Sequence, residues 1–103
     1  MLPERDSEGF LRSLADWNED VARELAALEG IDLTVEHWEI IEVARGFHAD
    51  FALSPAMRVL VKRVRDRLSP EKGRSVHILK LFPDRPARKI SKIAGLPKPT
   101  NCD

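Results

Sequence analysis

Apolar residues recur at helical spacing in several stretches of the chain. From about Asn18 to Leu28, Val21, Ala22, Leu25, Ala26 and Leu28 share one face, Glu19 and Asp20 sit where a helix dipole favours acids, and Gly30 supplies a stop. Thr34 is placed to cap a second helix running to about Ala52, with a stripe of Ile40, Val43, Ala44, Phe47 and Phe51 widened by Trp38 and Ile41. Ser54 followed by Pro55 reads as a cap and a first helical residue, opening a third helix whose stripe is Met57, Leu60, Val61, Val64 and Leu68. Ser69 to Gly73 breaks the pattern. The run Val76, Ile78, Leu79, Leu81 and Phe82 is too short for periodicity to separate a strand from a buried helix. Pro83 ends it, and Pro86 opens a last helix with Ala87, Ile90, Ile93 and Ala94 on its apolar side before Gly95.

These elements predict a mainly α protein, a small orthogonal helical bundle of five helices with at most a short N-terminal β element around the turn Asp6-Ser7-Glu8-Gly9. Residues 1–95 form the helical domain and residues 96–103 an extended, flexible C-terminal arm. Each proline of Leu96-Pro97-Lys98-Pro99 fixes its own backbone and pushes the preceding residue toward extended geometry. The arm offers little to bury, so mobility is expected there. At roughly 3.1 Å per residue, the steps from Gly95 to Cys102 span about 20 Å.

Composition narrows the class. With 103 residues, 43% hydrophobic and 33% charged, the chain reads as one soluble globular domain. No apolar run approaches the ~20 residues of a membrane span, and the first residues lack the basic-then-apolar order of a signal peptide, so the expectation is a cytoplasmic protein with no membrane partner. The formal net charge of zero conceals a division. Residues 1–50 hold thirteen acids against four bases, and residues 51–103 hold thirteen bases against four acids. Either the halves attract one another within the fold, or the basic half offers a surface to an anionic partner.

Cys102 is the only cysteine, so it has no internal disulfide partner and any cysteine chemistry involves another molecule. Lys98 favours its thiolate and Asp103 opposes it. His37, His48 and His77 have no compact ligand spacing, which argues against a metal, and no cofactor is indicated. A Cys/His hydrolase lacks any sign of an oxyanion hole. A nucleic-acid-binding module of helix-turn-helix type would use Arg58, Arg65, Arg88, Lys89 and Lys92 on phosphates, but those residues serve equally as solvated helix faces.

The segment Ile93-Ala94-Gly95-Leu96-Pro97-Lys98-Pro99, followed by a penultimate cysteine, resembles the C-terminal arm of the TusE/DsrC family of sulfur carriers. Further segments match in the same order: Asp6-Ser7-Glu8-Gly9-Phe10-Leu11, Trp17, Glu29-Gly30-Ile31, Leu33-Thr34, Glu36-His37-Trp38, Ser54-Pro55-Ala56-Met57-Arg58 and Leu81-Phe82-Pro83. The resemblance implies a carrier of sulfurtransferase type with Cys102 holding a persulfide; Arg88, Lys89, Lys92 and Lys98, in the basic half, are the expected contacts to a partner or to phosphate. It further implies a TusBCD- or DsrEFH-like persulfide donor and a tRNA 2-thiouridine synthase-like acceptor, with tRNA met only indirectly.

Family members that work with dissimilatory sulfite reductase carry a second cysteine eleven residues before the penultimate one, and Ser91 occupies that position. The single cysteine therefore resembles the branch serving wobble-uridine 2-thiolation. A single-cysteine paralogue in sulfur oxidation and a nucleic-acid-binding regulator are the alternatives. Asp103 replaces an apolar end residue, and the short N-terminus leaves no room for the family's full hairpin.

Overall fold

The structure, a computed structural model, describes residues 1–100. Five helices follow a single 3-10 turn at Leu14–Asp16: α1 (Glu19–Leu28), α2 (Val35–Phe51), α3 (Met57–Arg67), α4 (Ser75–Leu81) and α5 (Pro86–Ile93). Among the described residues there is no sheet. The N-terminal β element reduces to one antiparallel bridge, Arg5 with Leu11, around a turn in which Asp6 Oδ1 accepts from the Glu8 and Phe10 amides.

Helix starts follow from side-chain chemistry at two places. Asn18 caps α1 by accepting from the Val21 amide at 2.8 Å. Thr34 caps α2, and His37 takes the reciprocal part, its Nδ1 accepting from the Thr34 amide at 3.0 Å. The other ring nitrogen, Nε2, lies 2.8 Å from the Leu81 carbonyl, a pure acceptor, so Nε2 carries the proton. His37 thereby ties the start of α2 to the end of α4, at 8% exposure and edge-on to Phe82.

Three helical expectations need correction, the first being Leu28, which is 63% exposed in the last turn of α1. The N-cap of α3 is Ala56, not Ser54, and Pro55 is buried just ahead of the helix. A helix needs an extended residue at its cap, and Ala56 supplies it at φ −73°, ψ 164°, which frees the Ser54 hydroxyl. The stripe of α2 also stops short. Ile40, Ile41, Val43 and Ala44 are buried, whereas Phe47 is half-buried and Phe51 is 55% exposed. Seventeen residues make α2 about 25 Å long, well beyond its shorter neighbours, so its last turn runs past the core. There Phe47 and Phe51 pack on each other at 4.8 Å, with the Arg63 guanidinium over both rings.

The ambiguous run is a helix. Ile78 and Phe82, four apart, are both fully buried, while Val76 and Leu79 face outward. A strand would have needed a pairing partner for its backbone. α5 lies at the centre, packing on α1, α2 and α3. Ala87, Ile90, Ile93 and Ala94 join Leu25, Ile40, Leu60, Val64 and Phe82 in the interior. No helix is long and apolar enough to cross a membrane among the described residues.

Candidate functional site

The C-terminal end of α5 launches residues 96–100, and every carbonyl there has a donor. Gly95 takes the left-handed conformation at φ +73°, the Gly95 amide donates to the Lys92 carbonyl at 3.2 Å, and the Leu96 amide to the Ser91 carbonyl at 2.8 Å. The remaining two carbonyls are capped from distant parts of the chain. Trp17 Nε1 donates to the Ile93 carbonyl at 2.8 Å, and Arg45 Nη1 to the Ala94 carbonyl at 2.6 Å. Arg45 thus sets a cation at the negative end of the helix dipole. Burial pushes its pKa below the ordinary guanidinium value, against an opposing pull from Glu42. Its guanidinium also stacks on Trp17, 3.8 Å from the ring centroid. The Trp17 side chain lies so close to Gly95 that any added Cβ would collide with it.

Beyond Gly95 the chain stays against the body. Leu96 is 3% exposed and Pro99 is buried, so these residues bury more than their sequence suggested. The local reading missed that Leu96 faces the core at the place where α5 ends. The freed Ser54 hydroxyl donates to the Pro97 carbonyl at 2.5 Å. The Lys98 ammonium sits 3.0 Å from Glu8 Oε2, which also takes Arg88 Nη2 at 2.9 Å. Lys98 first, and then Arg88, hold the Glu8 carboxyl below its ordinary pKa.

Arg88, Lys89, Lys92 and Lys98 therefore have partners within the fold. Arg88 and Lys98 share Glu8, Lys92 reaches Glu29 at 3.4 Å beside the Phe10 ring, and Lys89 donates to the Pro83 carbonyl at 2.6 Å. Lys72 with Glu39 and Arg63 with Asp50 extend the same pattern, so the acid-rich and base-rich halves are joined along their contact. Cys102 lies outside the described residues. Ser91 lies fully buried on α5, and its hydroxyl has no hydrogen-bond partner among the described residues. His37 has both ring nitrogens engaged, and among the described residues no three His, Asp or Glu side chains gather as metal ligands would.

Sequence reasoning missed Arg45 and the working role of Ser54 and Glu8, and it used Trp17 only as part of a resemblance. Their partners lie 49, 43, 90 and 76 residues away, a distance no local pattern reports.

Residues 2–102 match the family model described as DsrC like protein. The chain is 47% identical over 97 residues to the protein named Sulfurtransferase TusE of Salmonella typhimurium, covering 94% of this chain and 89% of that one. It is 46% identical over 99 residues to Sulfurtransferase TusE of Escherichia coli, covering 96% and 91%. Among solved structures, DsrC of Allochromatium vinosum superposes with a TM-score of 0.85 at 44% identity, covering 95% of this chain and 88% of that one. The oxidized DsrC of Archaeoglobus fulgidus, the gamma-subunit of its dissimilatory sulfite reductase, gives 0.83 at 38%, covering 98% and 92%. With the five-helix fold shared and the match running from residue 2 through the arm, the chain belongs to the DsrC-like protein family.

Proposed function

We propose that this protein relays sulfane sulfur on Cys102 toward 2-thiolation of the tRNA wobble uridine, residues 1–95 serving as the body and 96–103 as the arm. The observation that carries the reading is the chain's single cysteine, Cys102, seven residues past a fully capped helix end, in a homologue of proteins named Sulfurtransferase TusE. The Cys102 thiolate attacks the terminal sulfur of a donor persulfide. A new S–S bond forms at Cys102, the donor S–S bond breaks, and the donor leaves as a thiolate. No net oxidation occurs, so the step needs no further redox reagent.

The donor in this reading is a TusBCD- or DsrEFH-like protein, and the acceptor is a tRNA 2-thiouridine synthase-like enzyme that meets the RNA itself. In this reading Arg88, Lys89, Lys92 and Lys98 contact the partners, exchanging their contacts within the fold for contacts across the interface. Ser91 favours one-cysteine transfer, because a hydroxyl cannot share a disulfide with Cys102.

The test is intact mass spectrometry after incubation with a cysteine desulfurase and a persulfide donor. Wild type is expected to gain one sulfur atom, and Cys102→Ser to keep its helical circular dichroism and gain none. Equal loading of the two proteins overturns the proposal.

A further inference from the structure

A groove of about 520 Å³ lies between α3 and the start of α4. Its floor is apolar, from Met57 and Val61, and its rim carries Arg58, Lys62 and Arg65, with Ser75 across from them. The three cations fall at i, i+4 and i+7, so they form one line along α3 that runs about 10 Å. The facing wall is brought in by Gly73, which packs so tightly on Arg65 that a Cβ would strike the α3 backbone. Arg65 Nη2 reaches back to the Gly73 carbonyl at 3.3 Å, and Lys62 pairs with Asp66 at 3.1 Å. Arg58 has no ion pair among the described residues. Unlike Arg88, Lys92 and Lys98, this line is not answered by the acidic half of the chain.

We infer that this groove docks an acidic amphipathic helix on the protein that receives the arm. The inference rests on the sulfur-relay reading above and adds the partner's surface chemistry. Carboxylates at i, i+4 and i+7 on such a helix match the spacing of Arg58, Lys62 and Arg65, and its apolar flank fills the Met57–Val61 floor. A phosphate backbone would satisfy the cations and leave the floor uncovered, which favours protein over RNA. Position adds to the argument. The groove begins at Met57, three residues after Ser54, whose hydroxyl holds Pro97 of the arm. A protein that takes in Cys102 must cover the arm base, and the groove continues that surface along α3.

The experiment uses the full chain as Cys102→Ser, so that binding is read without sulfur chemistry, with a purified tRNA 2-thiouridine synthase and bulk tRNA as separate probes. Arg58→Glu/Lys62→Glu breaks only an exposed ion pair, and Val61→Ser removes an apolar floor contact that also touches the core; melting curves verify both folds. Each is expected to weaken synthase binding about tenfold. The charge-reversed variant should also lose most of the salt dependence, while Lys80→Glu outside the groove binds like its parent. Undiminished synthase binding by the groove variants, or no binding by the parent, overturns the inference. Equal losses for synthase and tRNA overturn it in favour of an RNA surface. Sulfur loading of Cys102 is scored separately by mass, so a failed relay reading and a failed groove give different results.

Discussion

The Arg45 guanidinium stacks on the Trp17 ring at 3.8 Å while the two side chains donate to the consecutive carbonyls of Ala94 and Ile93. Each side chain thus holds the other in position for capping, and together they complete the end of α5. Trp17→Phe keeps an aromatic ring but loses the N–H and part of the indole's contact area, leaving the Ile93 carbonyl without its donor. The expected cost is about 1–3 kcal/mol in urea unfolding. A change below about 0.5 kcal/mol would show that the hydrogen bond does not hold the helix end.

Gly95→Ala should destabilise more than its size suggests. The residue would have to keep φ +73° and place a methyl group against Trp17. Positive-φ strain alone costs about 1–2 kcal/mol, and the collision adds to it. A melting temperature equal to wild type would mean that Trp17 moves aside freely.

Ser91→Ala is expected to be neutral or to stabilise by up to about 1 kcal/mol, because it removes a fully buried hydroxyl that has no partner among the described residues. Sulfur loading and transfer should stay at the wild-type rate. A marked loss of transfer with the fold intact would give the hydroxyl a part in the chemistry.

The Glu8 contact should respond to acid with a definite sign. Because Lys98 and Arg88 lower the Glu8 pKa in the fold, its contribution is complete above the ordinary value of 4.5 and is lost as pH falls through the lowered folded value. The Lys98 amide resonance is expected to shift over that range in wild type and to stay level in Glu8→Gln. Identical titration curves would separate Lys98 from Glu8 in solution.

Much of the architecture is legible in the chain because it is written in local periodicity. The stripes of α1, α3 and α5 and the cap Thr34 depend on neighbours within one or two turns. Ser54 misled because the pair Ser-Pro satisfies a helix-start rule equally well two residues too early, and only the position of Pro97 reveals what its hydroxyl does. Phe51 misled because periodicity reports a face without reporting where the neighbouring helices end. The arm-base cap was hidden altogether, since Trp17, Arg45 and the end of α5 meet only after folding. The family resemblance reached the right segments without exposing the hydrogen bonds that explain them.

The contacts of Ser54 with Pro97 and of Glu8 with Lys98 also shorten the length of chain between the body of the protein and Cys102. Measured along the chain, Cys102 lies seven residues from Gly95, a tether of about 24 Å when extended, but only four from Lys98, about 14 Å. Since effective concentration falls roughly as the −3/2 power of tether length, keeping these contacts would raise the local concentration of the sulfur about twofold over an arm tethered only at Gly95. A partner that must reach the sulfur from afar gains by breaking them, and one already seated gains by leaving them intact. In the proposed relay the Ser54 hydroxyl and the Glu8 carboxylate would therefore act on encounter frequency, a quantity that changes with no alteration in the reactivity of the thiol itself.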